Sequence, residues 1–92
     1  MKIIAIDFDD TIAYSDYSVF DNPVIIGDVE GATEYINKLY DDGYFIIIYT
    51  CRNCLNLTKA IDYLKEKEIK YSLINANHPA NIFKHGMDTR KI

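Results

Sequence analysis

Residues 2–11 read Lys-Ile-Ile-Ala-Ile-Asp-Phe-Asp-Asp-Thr, and this stretch indicates the fold class more clearly than any other. Its first part, residues 2–8, is apolar on both faces until Asp7, which is typical of a buried strand in a parallel sheet. Three carboxylates, those of Asp7, Asp9 and Asp10, then fall within four residues at the end of this strand. Because close carboxylates repel one another unless they share a proton or a cation, the cluster indicates a functional site. A capped strand end followed by an Asx-type turn would explain Asp10 and Thr11, but it does not explain Asp7 within an apolar strand.

Two further strands and two helices are predicted downstream. Residues 44–50 (Tyr-Phe-Ile-Ile-Ile-Tyr-Thr) are rich in β-branched and aromatic residues, as buried strands are, and residues 71–74 form a short third strand. Apolar residues recur at helical spacing within residues 29–42 and again within residues 57–64. Asp28 is expected to cap the first of these helices, and Gly43 is expected to follow its end.

The order strand, helix, strand, helix, strand predicts two βαβ units. We therefore expect a single domain over residues 1–92, of the α/β class: a three-layer Rossmann-like parallel sheet with a βαβαβ core, shortened at its C-terminus. Ligands bind beyond the carboxyl ends of the strands in such sheets, which here means residues 7–11, 50–54 and 75–77. The segment from Thr11 to Asp28 is interpreted as a loop.

Composition and charge narrow the possible functions and location. The 92 residues carry a formal net charge of −4, which disfavours extended nucleic acids and membrane surfaces as partners, since both require a basic face. Lys2 is followed by only four apolar residues before Asp7, fewer than a secretory signal needs. We expect a cytoplasmic protein without a membrane span, in which Cys51 and Cys54 stay reduced.

The sequence Ile-Ala-Ile-Asp-Phe-Asp-Asp-Thr-Ile-Ala at residues 4–13 resembles the first motif of the haloacid dehalogenase-like phosphohydrolases, an apolar strand followed by Asp-x-Asp-x-Thr. The apolar strand that ends at Thr50 is similar to the second motif of that family. Residues 27–44 also resemble the family's first crossover, so the resemblance covers nearly the whole chain. Because the loops are short, the chain is most similar to the small capless members found in phages and bacteria.

This resemblance implies a Mg²⁺-dependent phosphomonoester hydrolase that works through an aspartyl-phosphate intermediate. Asp7 would be the nucleophile, and its carboxylate would hold Mg²⁺ together with the backbone carbonyl of Asp9. Asp9 would also act as the general acid and base, with Thr11 as a supporting residue. Thr50 would donate a hydrogen bond to a phosphate oxygen. The implied substrate is a small phosphomonoester, such as a nucleotide.

Two cationic residues are further candidates for phosphate binding. Arg52 follows Thr50 closely and either pairs with phosphate or is an exposed loop arginine. The lysine of the family's third motif is matched to Lys91, which lies in an Arg-Lys pair as in small family members. Lys84 is the other candidate for this role.

Two alternatives to a competent hydrolase stay open. The family's fourth motif, an acidic pair at the end of the next strand, has no match after Lys91, which favours a non-catalytic member that binds a metal or a partner. A receiver-like phosphoacceptor domain is disfavoured, because its acceptor aspartate should end the third strand, where Asn75 stands. A sheet that lacks its next strand would expose a pairing edge, so a homo-oligomer is also expected.

Cys51 and Cys54 have the spacing of a redox or zinc pair. Zinc would need two more ligands, and the separation of His78 and His85 misses the usual spacing of such ligands. Two ordinary reduced cysteines are therefore the favoured interpretation.

Aromatic residues Tyr14, Tyr17 and Phe20 lie between the first motif and the first helix. In the family that the chain resembles, this segment forms a flap near the active site, so these side chains could contact substrate. Packing over a small core is the favoured interpretation.

Overall fold

The structure, a computed structural model, describes residues 2–18 and 23–76 of the chain. In chain order its elements are β1 (Ile3–Asp7), β2 (Ala13–Asp16), β3 (Val24–Asp28), α1 (Ala32–Asp41), β4 (Phe45–Tyr49), α2 (Cys54–Glu66) and β5 (Leu73–Ile74). The three strands and two helices predicted from the sequence are confirmed, as β1, α1, β4, α2 and β5.

Strands β1, β4 and β5 form a parallel sheet in the order β1-β4-β5. The register places Ile4 beside Ile46 and Asp7 beside Tyr49, while Ile47 pairs with the first residue of β5. Three consecutive isoleucines of β4 are fully buried, as expected for the central strand of a sheet. The described residues thus form a small α/β fold with a three-stranded parallel sheet and two helices.

Both helices pack against the same face of this sheet. One core cluster contains buried residues of both helices and of one face of β4, among them Ile36, Leu64 and Ile46. Ile47 is buried too, but its side chain lies on the opposite face and outside this cluster. Two successive right-handed crossovers that advance in one direction across a sheet place their helices on one side. The described residues therefore form two layers, and the expected three-layer arrangement is not confirmed.

The segment between β1 and α1 was expected to be a loop, and that expectation is wrong. Strands β2 and β3 form an antiparallel pair whose register shifts between Tyr14 and Ser15. Along β3 the residues alternate between exposed and half-buried, which is the period of a strand with one face on the core. This signal spans only five residues and directly precedes a helical pattern, so it is easily assigned to the loop.

Helix α1 begins later than predicted, and the expected cap at Asp28 is wrong. Asp28 is instead the last residue of β3, and its carboxylate accepts a hydrogen bond from the Tyr63 hydroxyl of α2. The helix starts after Gly31, which has a φ of 79°, a left-handed conformation that glycine adopts without steric cost. Gly43, with a φ of 96°, follows the helix end as predicted, and its amide donates to the carbonyl of Tyr40.

Candidate active site

The candidate site lies where the strands of the parallel sheet end. Asp7 is the last residue of β1, and the next amide, that of Phe8, donates to the Tyr49 carbonyl at 3.2 Å. Thr50 follows β4, and its amide donates to the side-chain oxygen of Asn75 at 2.9 Å. Asn75 directly follows β5, so hydrogen bonds join the carboxyl ends of all three strands at one edge of the sheet.

A tight turn after β1 brings β2 back over this edge. The carbonyl of Phe8 accepts hydrogen bonds from the amides of residues 11–13, at 2.9 to 3.3 Å. Asp10 has a φ of 61°, a left-handed conformation that aspartate tolerates better than most residues. Its carboxylate accepts a hydrogen bond from the Ser15 amide at 3.1 Å, which ties β2 to the turn that contains Asp9.

Asp9 is the centre of a hydrogen-bond network. Its Oδ1 accepts from the Ser15 hydroxyl at 2.6 Å and from Arg52 Nε at 2.9 Å. Its Oδ2 accepts from Thr50 Oγ1 at 3.2 Å. Arg52 Nη2 also lies 2.9 Å from Oδ1, in an ion pair whose side chains are 1% and 14% exposed. The structure therefore brings Asp9, Thr50 and Arg52 together, and it adds Ser15, which the sequence did not predict.

Arg52 is buried, so its interpretation as an exposed loop arginine is wrong. Its Nη1 donates to the carbonyls of Pro23 and Asn56 at 3.3 Å each, and its Nη2 donates to the Ser15 hydroxyl at 3.2 Å. The guanidinium also lies 5.5 Å from the centre of the Phe8 ring. All three of its nitrogens thus have protein partners on different elements. Phosphate binding by Arg52 stays a prediction, and in this arrangement phosphate would have to displace one of these partners.

Asp7 differs from Asp9 in being exposed and available. Its carboxylate makes no hydrogen bond or ion pair with another residue in the described part of the chain. Thr11 is also exposed, and its amide donates to the Phe8 carbonyl at 3.3 Å. Of the two aspartates of the Asp-x-Asp motif, Asp7 is therefore the one whose carboxylate can contact a ligand without first losing a partner among the described residues.

The described residues offer a Mg²⁺ ion a number of ligands that is at the low end of what such a site uses. Across residues 2–18 and 23–76, no group of three or more His, Cys, Asp and Glu side chains could hold a metal ion. Two oxygen ligands are still available, because no described residue donates a hydrogen bond to the Asp7 carboxylate or to the main-chain carbonyl of Asp9. Mg²⁺ usually keeps several waters and is commonly held by one or two carboxylates, and Mg²⁺ binding by this pair stays a prediction.

A cavity of about 350 Å³ opens beside Asp9. Among the described residues, its lining consists of Asp9, Tyr17, Pro23, Cys51, Arg52, Asn53 and Asn56. Burial raises the pKa of the Tyr17 hydroxyl above its usual value, and the negative charges of Asp9 and Asp10 raise it further. The Tyr17 hydroxyl is therefore protonated near neutral pH and can donate a hydrogen bond into the cavity.

Several other residues stood out in the sequence. Tyr14 and Tyr17 are 49% and 51% exposed, so neither is a core residue. Cys51 and Cys54 are exposed and form no disulfide bond, and their reduced state stays a prediction. Lys84, Lys91, His78, His85 and Phe20 lie outside the described residues.

Ser15 and the carbonyls of Pro23 and Asn56 had no recognisable signal in the sequence, because their roles depend on how β2, β3 and α2 converge on Arg52. Asn75 did have a signal in the sequence, since it directly follows a predicted strand at the edge where ligands bind.

Neither helix in the described part of the chain has the length and apolar character needed to cross a membrane. No protein-family model, no curated protein and no solved structure matches the chain.

Proposed function

We propose that the chain is a Mg²⁺-dependent phosphomonoester hydrolase of the haloacid dehalogenase-like type, with Asp7 as the phosphate-accepting nucleophile. The observation that carries this proposal is the state of Asp7. It lies at the carboxyl end of a parallel sheet, it is exposed, and no described residue pairs with its carboxylate. The Rossmann-like three-layer fold of that family, a cytoplasmic location and self-association are parts of the same proposal.

The proposed reaction has two steps on one carboxylate. An oxygen of Asp7 attacks the phosphorus of the ester, the bond to the leaving-group oxygen breaks, and an aspartyl-phosphate forms. Water then attacks this phosphorus and releases orthophosphate and the free Asp7 carboxylate. Mg²⁺, when bound by the Asp7 carboxylate and the Asp9 carbonyl, would offset the repulsion between carboxylate and phosphate.

Asp9 would donate a proton to the leaving oxygen and later accept one from the attacking water. Its two oxygens are not equivalent for this task. Oδ1 is held by Ser15 and Arg52, whereas the described partner of Oδ2 is Thr50 alone, at the longer distance of 3.2 Å. We therefore assign proton transfer to Oδ2. The Thr50 hydroxyl would turn from Oδ2 to a phosphate oxygen as substrate binds.

Arg52 and Ser15 have a supporting part in this proposal. Two groups on Oδ1 leave Asp9 little rotational freedom, so Oδ2 keeps one direction relative to Asp7. Such fixed geometry is how enzymes lower the entropic cost of a reaction. Arg52 therefore acts as a positioning residue, in addition to any contact with phosphate.

A non-catalytic binding module is the second candidate, and one observation favours it. Both carboxylate oxygens of Asp9 already accept hydrogen bonds, so a proton on either oxygen would require a partner to move. In this alternative the ion pair with Arg52 is a structural link, and Asp7 binds a metal or a partner without reacting. The receiver-like alternative gains no support, because the residue after β5 is Asn75, whose side chain binds the Thr50 amide.

Hydrolysis of para-nitrophenyl phosphate by the purified chain tests the proposal. We expect turnover that requires Mg²⁺, that stops when the metal is chelated, and that Asp7→Asn abolishes. Asp10→Asn is the matched control, because it changes the neighbouring carboxylate in the same way and should retain most of the activity. Orthophosphate binding that depends on Mg²⁺ and Asp7 without any turnover would favour the binding module instead.

A further inference from the structure

We infer that the cavity beside Asp9 is the site for the leaving group and that it selects phosphomonoesters whose leaving group is uncharged. This inference deepens the function proposed above and rests on it. The nucleophile and the metal do not by themselves determine which phosphomonoesters bind. The inference assigns that selection to the cavity.

The position of the cavity identifies what it would bind. Asp9 lines the cavity and is also the residue proposed to protonate the leaving oxygen. In this inference the rest of the substrate, beyond that oxygen, extends into the cavity while its phosphorus lies at Asp7. Ligand sites have volumes of roughly 300 to 1,000 Å³, so a cavity of about 350 Å³ fits a small leaving group.

The charge of the lining argues against an anionic leaving group. Among the described lining residues the charged ones are Asp9 and Arg52, which neutralise each other across 2.9 Å. Arg52 is buried and its three nitrogens have protein partners, so it has little capacity left for a substrate carboxylate. Tyr17 is neutral because its hydroxyl is protonated. A second negative charge on the substrate would therefore lose water without gaining a cation from the described lining, which is costly.

The polar groups of the lining suit a neutral partner that forms hydrogen bonds. Asn53 directly precedes α2, yet its side chain makes no capping hydrogen bond with the described helix, so its amide can donate and accept in the cavity. The Tyr17 hydroxyl adds a donor, and its half-exposed ring adds an apolar surface. Hydroxyl groups of a polyol or sugar and the base of a nucleoside share this uncharged, hydrogen-bonding chemistry.

The test compares two esters that differ in the charge of one group, glycerol 3-phosphate and 3-phosphoglycerate. Their dissociation constants are measured on the full-length Asp7→Asn variant without Mg²⁺, so that the result depends neither on turnover nor on the metal. We expect glycerol 3-phosphate to bind about tenfold or more tightly, which is the effect of one unfavourable charge at a partly hydrated site. A ratio near one, a preference for 3-phosphoglycerate, or no binding of either ester would overturn the inference.

A second experiment introduces a positive charge into the cavity by substitution. Asn53→Lys should lower the preference for glycerol 3-phosphate by about tenfold, because the new ammonium group can pair with the carboxylate. Thr58→Lys adds the same charge on the exposed surface of α2, outside the cavity lining, and should leave the preference unchanged. An equal effect of both substitutions would mean that overall charge, not the cavity, sets the preference, and would overturn the inference.

Turnover by the wild-type chain separates this inference from the proposed function. Hydrolysis of para-nitrophenyl phosphate together with equal binding of the two esters would refute the leaving-group site and leave the nucleophile intact. A retained preference without hydrolysis would refute the catalytic proposal and support the selectivity of the cavity. Adenosine 5′-monophosphate and glucose 6-phosphate then distinguish a nucleoside from a sugar, and at least one of them must bind more tightly than 3-phosphoglycerate for the inference to stand.

Discussion

Arg52 donates a hydrogen bond through its Nε to Oδ1 of Asp9 at 2.9 Å, although 43 positions separate the two residues in the chain. The same guanidinium bonds to Ser15 in β2 and to the carbonyls of Pro23 and Asn56. This one side chain therefore ties the turn after β1, the hairpin and helix α2 to each other. The order of the candidate site depends on it.

Arg52→Ala should destabilise the fold strongly. It leaves the largely buried Asp9 carboxylate without its counter-charge, and breaking such a buried pair costs about 3–5 kcal/mol of unfolding free energy. The measurement is urea denaturation followed by circular dichroism. Lys38→Ala is the control, since it removes an ion pair with Asp42 whose side chains are 76% and 52% exposed, and such pairs contribute less than about 1 kcal/mol. Equal costs for the two substitutions would contradict the central role of Arg52.

The part of the site that the sequence predicts is the part encoded in contiguous residues. Asp7, Asp9 and Thr11 follow a strand whose apolar run is visible directly, and Thr50 ends a second such run. Parallel strands bring their carboxyl ends to one edge, so the meeting of Asp9 and Thr50 follows from the fold class.

The role of Arg52 does not follow in this way. Its burial depends on the carbonyls of Pro23 and Asn56 and on the Ser15 hydroxyl, which converge only when the hairpin folds over the sheet edge. No periodicity in the sequence encodes that convergence. The hairpin itself was missed because its strands mix apolar with polar residues and are partly exposed, so they lack the continuous apolar run that marks β1 and β4.

Thr50→Val should reduce catalysis and phosphate binding with little change in side-chain volume. Valine cannot donate to Asp9 Oδ2 or to phosphate, and it cannot accept the Arg52 amide, which now bonds to Thr50 Oγ1 at 3.1 Å. We expect kcat/KM for para-nitrophenyl phosphate to fall by about tenfold to a thousandfold, as when one charge-stabilising donor is lost. The inhibition constant of orthophosphate should rise as well.

Thr50→Ser is the matched control for this prediction, because it retains the hydroxyl group and loses only a methyl group. It should recover most of the lost activity. If Thr50→Ser is as impaired as Thr50→Val while both remain folded, the hydroxyl has no role in phosphate binding.

The contact between Tyr63 and Asp28 should make stability depend on pH at both extremes. The hydrogen bond from the Tyr63 hydroxyl, assisted by Lys67, lowers the pKa of Asp28, so this carboxylate contributes stability that is lost as the pH falls below about 4. Burial, and then the bond to Asp28, raises the pKa of Tyr63, so its contribution is complete below pH 10 and is lost as the pH rises above that value.

Tyr63→Phe removes both contributions and is the variant that tests this linkage. The difference in unfolding free energy between wild type and Tyr63→Phe should be constant from about pH 5 to 9 and shrink on either side. Urea denaturation across that range measures it. A difference that stays the same at pH 3.5 and pH 7 would show that the hydrogen bond to Asp28 does not couple folding to proton binding.

The nucleophilic role of Asp7 is tested most directly by trapping the covalent intermediate. The wild-type chain is incubated with a phosphomonoester and Mg²⁺, quenched in acid, reduced with borohydride and digested for mass spectrometry. Reduction converts a phosphorylated aspartate into homoserine. We predict homoserine at position 7, its absence in Asp7→Asn, and its retention in Asp10→Asn. Turnover of the ester without this product at position 7, or with the product at Asp9 or Asp10 instead, would contradict the proposed mechanism.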